Sequence, residues 1–274
     1  MVSFPNAKIN IGLNVVEKRT DGFHNIETVF LPVSFKDVLE IIVSDNKTDV
    51  IEFTSSGIEI DGGITNNLCV KAYHLLKKEF DLPNIKMHLH KTIPIGAGLG
   101  GGSADAAFTL QLLNNKFSLN LTENQLLKYA LQLGSDCPFF IKNKPCFATS
   151  RGENLEEIQI DLSNYQLAII NPKIHIATAW AFNKIKPQSP AISIKKLITL
   201  PIESWKNNIT NDFEIPVFNE FPVLSDVKEI MYKQQAIYAA LTGTGSTVFG
   251  IFKKNIKAVD FSFPENYFIK WIDL

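Results

Sequence analysis

The stretch that most restricts what this chain can become runs from Pro94 to Ala107 and reads PIGAGLGGGSADAA. Gly96, Gly98, Gly100, Gly101 and Gly102 leave a backbone with little side-chain shielding, able to lie directly against a ligand. Ahead of it, Ile85, Met87 and Leu89 alternate with Lys86, His88 and His90, the period-two pattern of a strand with one buried face. Behind it, Ser103 to Ala107 reads as the first turn of a helix continued by Phe108, Leu110, Leu112 and Leu113. A glycine loop opening into a helix presents unpaired N–H groups and roughly half a positive charge of helix dipole. Phosphate suits such a site, although tight turns and hinges use the same residue.

Two common phosphate loops fit poorly. No Gly-Lys-Ser or Gly-Lys-Thr closes the segment as in a Walker A loop. The dinucleotide fingerprint wants an acidic residue about twenty positions on, ending a strand. Glu123 stands near that distance but follows Thr122 at a helix start.

The rest of the composition narrows the class by exclusion. A formal charge of −1 gives no general case for nucleic acid or an anionic membrane surface, so an anion site must be local. Cys69, Cys137 and Cys146 are odd in number and lack Cys-x-x-Cys spacing, which points to reduced thiols instead of disulfides or a zinc knuckle. Met1 is followed by VSFPN, without a charged leader and apolar run, and no stretch reaches the roughly 20 apolar residues of a membrane span. The expectation is a cytoplasmic protein with no membrane partner.

Along the chain, Ile9, Ile11, Leu13 and Val15 alternate within a strand over Ala7 to Glu17, placing Lys8 and Asn10 on one face. The pattern alone leaves a solvated edge and a functional face equally open. Arg19 to His24 reads as a turn before a second strand, Ile26 to Phe35, with shorter strands at Val38 to Val43 and Val50 to Phe53. Asn66 or Asn67 can cap a helix carrying Leu68, Ala72, Leu75 and Leu76. Thr122 to Gln125 has capping-box spacing, and Gly134 stops that helix. Asp136 then falls on a turn before Pro138, Phe139 and Phe140; a capping or solvated aspartate is the default for such a position. Cys137 reads as a small buried thiol. A polar stretch from Asn154 to Leu162 suggests a boundary, giving domains 1–155 and 156–274.

In the second half, strands are expected at Gln166 to Asn171, Ala236 to Leu241, Val248 to Phe252 and Tyr267 to Ile272. Helical segments are expected at Ala177 to Lys184 and Val223 to Tyr232, with Lys186 to Pro201 as a connection. Thr242 to Thr247 is a second glycine and hydroxyl loop, by default only a turn. His88 and His90 share a strand face but have no third ligand at useful spacing, so no metal site is assigned.

Three segments in this order, Pro5 to Asn10, Pro94 to Ala107 and Leu241 to Thr247, resemble the GHMP kinases, a superfamily of small-molecule kinases. Arg19 to His24, Gly134 to Pro138 and Asn211-Asp212 extend the likeness toward members whose acceptor is a cytidine-diphosphate-linked polyol. The resemblance implies an α+β fold, with an S5-like N-terminal α/β domain, a ferredoxin-like C-terminal domain and an active site in the cleft between them. It implies ATP as co-substrate, with Mg2+ expected and its protein ligands unassigned.

By the same resemblance Asp136 would accept the alcohol proton and Lys8 would hold that carboxylate and screen the phosphates. Pro94, Ile95, Gly96, Ala97, Gly98, Leu99, Gly100, Gly101, Gly102, Ser103 and Ala104 would bind ATP, with Asn67 and Lys91 near the nucleotide. Asn10, His24, Phe23, Phe182 and Thr178 would bind the acceptor, His24 at the cytosine edge and the two phenylalanines on its faces. Phe23 stands where tyrosine is common, and Ala179 where proline often follows the threonine. The rival readings are a relative acting on homoserine or mevalonate, a non-catalytic nucleotide binder, and a nucleotide-linked oxidoreductase.

Overall fold

The structure, a computed structural model, describes residues 1–46, 50–254 and 263–274. Residues 255–262, within the expected domain 156–274, lie outside the described residues. The fold is α+β. In chain order the first elements are β1 (Val2–Ser3), β2 (Asn6–Lys18), β3 (His24–Lys36), β4 (Val38–Val43), β5 (Ile51–Gly57), α1 (Leu68–Lys77), β6 (Ile85–Lys91), α2 (Gly101–Lys116), α3 (Glu123–Leu133) and α4 (Cys137–Lys142). Then come β7 (Cys146–Thr149), β8 (Asn154–Glu157), β9 (Tyr165–Asn171), α5 (Thr178–Lys184), α6 (Ile194–Leu197), α7 (Trp205–Asn208), α8 (Glu214–Glu220), α9 (Pro222–Lys233), β10 (Tyr238–Leu241), β11 (Val248–Lys253) and β12 (Phe268–Asp273). Two compact units result, neither continuous in sequence, so compactness divides the chain differently from a linear split at residue 155.

The first unit comprises Met1–Ala7, Phe35–Ile95 and Gly100–Lys144. Its sheet has the order β1-β4-β6-β5, with β6 antiparallel to β4 (Leu39 opposite Leu89) and parallel to β5 (Phe53 opposite Met87). Ile85, Met87 and Leu89 are buried together with Leu39 and Ile41, as the period-two pattern requires. The helix α2 is buried through Ala104, Ala106, Ala107, Leu110, Leu112 and Leu113, so small and large apolar residues surround it instead of forming one stripe. It starts two residues earlier than expected: Gly101 and Gly102 belong to its first turn, because Gly100 at φ 70° is the residue before it. Asn67 caps α1 through a hydrogen bond from Cys69 N (2.8 Å), and Thr122 and Gln125 form the expected capping box of α3.

The second unit comprises Lys8–Ser34, Gly96–Leu99 and Pro145–Leu274. One sheet has the order β2-β3-β7-β8, the other the antiparallel order β10-β11-β9-β12. Leu224, Val227 and Met231 of α9 enter a core with Ala168, Ile170, Leu241, Val248 and Phe252. Two strands escaped the sequence reading: β7 is only four residues long and buried, too short to show a period, and β8, Asn154 to Glu157, is a polar edge strand whose residues do not alternate in hydrophobicity. The helix α8 was hidden by Pro216, which sits in its first turn, where a missing N–H costs nothing. Ser193 caps the short α6 inside the segment expected to be only a connection. Among the described residues no helix is long and apolar enough to cross a membrane.

Candidate active site

In the first unit, Gly100 takes the left-handed conformation immediately before α2 and no side chain caps the helix. The N–H groups of a first turn normally find such a cap, and an uncapped sixteen-residue helix offers them to an anion. The turn carrying Asp136 abuts this helix end: the thiol of Cys137 hydrogen-bonds the side chain of Ser103. Asp136 is half-buried, precedes α4, and makes no capping hydrogen bond to it. Of the capping and solvated readings expected by default, the capping one does not hold for α4. Burial pushes the Cys137 thiol up to about 12, so it is a packing group and not a nucleophile.

Gly102 gives a way to separate fold from ligand binding. A Cβ there would meet only Leu68 Cδ1 at 3.9 Å. Gly102→Ala is therefore expected to keep or slightly raise the melting temperature, since alanine favours a helix over glycine by about 1 kcal/mol. If phosphates lie on this backbone the KM for ATP rises several-fold; steady-state kinetics beside thermal melts checks both.

In the second unit the loop is packed backbone to backbone. A Cβ at Gly98 would lie 2.1 Å from the Thr242 carbonyl oxygen, and φ there is 78°. The hydroxyl of Thr242 hydrogen-bonds Gly98 O (3.1 Å) and Asn10 Oδ1 (3.2 Å), and Asn10 N donates to that hydroxyl (3.0 Å). Thr247 N donates to Ala97 O, and Asn171 Nδ2 holds the Ser246 and Thr247 hydroxyls. The second glycine loop thus braces the first through buried hydroxyls. Asn211 Nδ2 donates to Leu241 O and Gly243 O, while Asp212 accepts from Val15 N (2.7 Å), tying β2 to the same loop.

Lys8 and Asn10 share a face of β2, and that face is buried, not solvated. Lys8 Nζ donates to Asn10 Oδ1 (2.6 Å) and lies 5.0 Å from the centre of the Phe30 ring. Asn10 Nδ2 donates to Thr28 Oγ1 (2.9 Å). The Asn10 amide is therefore committed to orienting Lys8 and the loop, a positioning role that the sequence did not reveal.

The residues expected at the cytosine are on the second unit. The hairpin turn is closed by Arg19 N to Phe23 O (2.8 Å) and by Asp21 accepting from Phe23 N. Phe23 is left 51% exposed, with the Arg151 guanidinium 4.8 Å from its ring centre. His24 stacks on Phe182 at 4.9 Å with planes 23° apart, and Phe213 meets Phe182 edge-on. Burial and then Lys18 hold the His24 imidazole below its ordinary range, favouring the neutral ring. Thr178 is the exposed first residue of α5. No role is expected for Arg151 from the sequence alone.

Lys91, expected near the nucleotide, is buried, with its ammonium on the carboxylates of Asp37 and Asp105. Asp37 Oδ1 also accepts from Thr92 N (2.6 Å) and Ile93 N (2.9 Å), fixing the residues that lead into the glycine loop. Sequence reasoning missed both aspartates. Asp37 sits between two strands like any turn residue, and Asp105 lies inside the glycine-rich motif itself.

A mixed fold whose first unit carries a glycine turn at a helix N-terminus with a carboxylate turn beside it defines a class. Residues 67–144 match the GHMP kinases N terminal domain and residues 193–262 the GHMP kinases C terminal family. The chain belongs to the GHMP kinases and is an ATP-dependent kinase of small-molecule alcohols. It is similar to the 4-diphosphocytidyl-2-C-methyl-D-erythritol kinase of Bacteroides fragilis, with 49% identity over 96% of each chain. A crystal structure of 4-(cytidine 5'-diphospho)-2C-methyl-D-erythritol kinase superposes with a TM-score of 0.78 at 28% identity, over 91% of this chain and 89% of the other. A homoserine kinase from Cytophaga hutchinsonii shares the fold at 18% identity and a TM-score of 0.65, over 91% and 85% of the two chains.

Proposed function

We propose that the protein transfers the γ-phosphoryl group of ATP to the 2-hydroxyl of 4-diphosphocytidyl-2-C-methyl-D-erythritol, in non-mevalonate isoprenoid precursor synthesis. The observation that carries this reading is the 49% identity, over 96% of both chains, to a kinase bearing that substrate in its name. Within the first unit, the uncapped first turn of α2 suits the β and γ phosphates. Asp136, on the adjoining turn, is assigned to the acceptor proton. Lys8, oriented by Asn10, is assigned to charge stabilisation. A carboxylate is a weak base toward an alcohol, so positioning and electrostatics are expected to carry most of the rate.

Magnesium is part of the proposal as the partner of the ATP phosphates. Such an ion keeps several waters and takes few protein carboxylates. Among the described residues no group of three or more His, Cys, Asp or Glu side chains could hold a metal ion. No protein ligand is assigned to it.

For the cytidine end, Phe23 and Phe182 supply ring faces and His24 a neutral imidazole with one donor and one acceptor. His24 rests on one face of Phe182, so bonding the cytosine edge requires the imidazole to leave that face or the base to take the other one. Stacking far from the reacting oxygen acts alike on ground and transition states. Phe182→Ala is therefore expected to raise KM for the cytidyl substrate about tenfold, an amount set by roughly 1–3 kcal/mol per stacked base, with a smaller change in kcat. An unaltered KM removes Phe182 from the site. The reading as a whole is tested by comparing phosphorylation of the cytidyl substrate with that of homoserine and mevalonate. Preference for either simple alcohol overturns it.

A further inference from the structure

Beneath the glycine turn, in the first unit, two carboxylates share one ammonium. Asp37, Lys91 and Asp105 are 0%, 3% and 3% exposed. Lys91 Nζ donates to both acids, at 2.7 Å to Asp105 Oδ2. The first turn of α2 rests on this group: a Cβ on Gly101 would lie 2.9 Å from Lys91 Nζ. Asp105 itself is four residues along the same helix, about 6 Å at 1.5 Å per residue.

The two acids are not equivalent. Asp37 is satisfied by Lys91 and by the peptide N–H groups of Thr92 and Ile93. Asp105 Oδ1 is buried and has no hydrogen-bond partner. Two carboxylates against one ammonium leave a net negative charge when both are ionised, and a lone buried acceptor is costly. Burial pushes the Asp105 carboxyl up to about 7, with Lys91 opposing and Asp37 adding to the rise. The other titratable neighbour, Cys69 of α1, is held neutral by burial, and Lys91 stays cationic because the acids outweigh its own desolvation.

We propose that Asp105 takes up a proton when nucleotide phosphates settle on the glycine turn, so that ATP binding discharges the buried acid pair beneath it. This rests on the reading that the first turn of α2 seats the phosphates. An incoming polyanion repels the uncompensated carboxylate, and protonation removes that repulsion while turning the acid into a donor. Asp105 is in this sense a positioning residue: it sets the charge under the loop without touching the reacting atoms.

Isothermal titration of the full-length protein with ADP at pH 7.5, in MOPS, HEPES and Tris, reads the proton count from the dependence of the heat on buffer ionisation. Wild type is expected to take up about half a proton more per ADP than Asp105→Asn, as follows for a group titrating near the working pH and moved up by about one unit. The ADP phosphate's own titration is common to both and cancels. Equal proton counts with ADP bound overturn the proposal alone. Absence of ADP binding to wild type overturns the nucleotide-site reading and the proposal with it. If the variant does not fold, carboxyl-13C-aspartate spectra of wild type decide. One resonance titrating near neutrality and moving to higher pH with ADP supports the proposal, and no such movement overturns it.

Discussion

Asp136→Asn is expected to lower turnover by about 10²- to 10⁴-fold, the usual contribution of a positioned general base, while ATP affinity changes little. The substitution keeps the size of the side chain. The neighbouring packing should survive, because the buried side chains of this segment are Cys137, Phe139 and Phe140, whereas Asp136 is half-buried. Phosphate binding is assigned to backbone N–H groups of α2, which the change does not touch. Rapid-quench turnover and ADP titration, measured on the same preparation, give the two numbers. Turnover equal to wild type removes Asp136 from the mechanism, and lost nucleotide affinity reassigns it to binding.

Lys91→Met is expected to cost about 3–5 kcal/mol of stability, as for other buried ion pairs broken from one side. For a chain of this size that is a fall in Tm of roughly 6–20 °C. The variant leaves Asp37 and Asp105 buried without their shared cation. The pH dependence has a definite sign. A carboxyl whose folded-state pKa lies above its unfolded value binds more protons in the folded protein, so stability falls as pH rises through the folded value. Asp105, at about 7, already behaves this way, and losing Lys91 strengthens it. The deficit of Lys91→Met should therefore be smaller at pH 6 than at pH 8, and adding Asp105→Asn should restore part of it. A Lys91→Met protein as stable as wild type at pH 8 would contradict the buried-charge account.

The elements most legible in the sequence were those written by local rules. β6 follows from strict alternation, α3 from its capping box and α1 from Asn67 at its start. The strand β2 was legible, but the environment of its second face was not, because alternation reports polarity and not burial. Asn10 is held by Thr242, more than two hundred residues away in the chain, and Lys8 in turn by Asn10. The glycine turn before α2 was legible for the same local reason, since glycine in the left-handed region before a helix is a backbone property. The Asp37, Lys91 and Asp105 cluster joins the end of β6 and the first turns of α2 to a turn more than fifty residues earlier, and has no local signature.

The most direct measurement is a crystal structure of the protein with a non-hydrolysable ATP analogue and 4-diphosphocytidyl-2-C-methyl-D-erythritol. The account predicts the triphosphate on the N–H groups of Gly101 to Ser103, with an Asp136 carboxylate oxygen about 2.6–3.2 Å from the acceptor 2-hydroxyl. A triphosphate bound elsewhere, or Asp136 turned to solvent away from that hydroxyl, would contradict it.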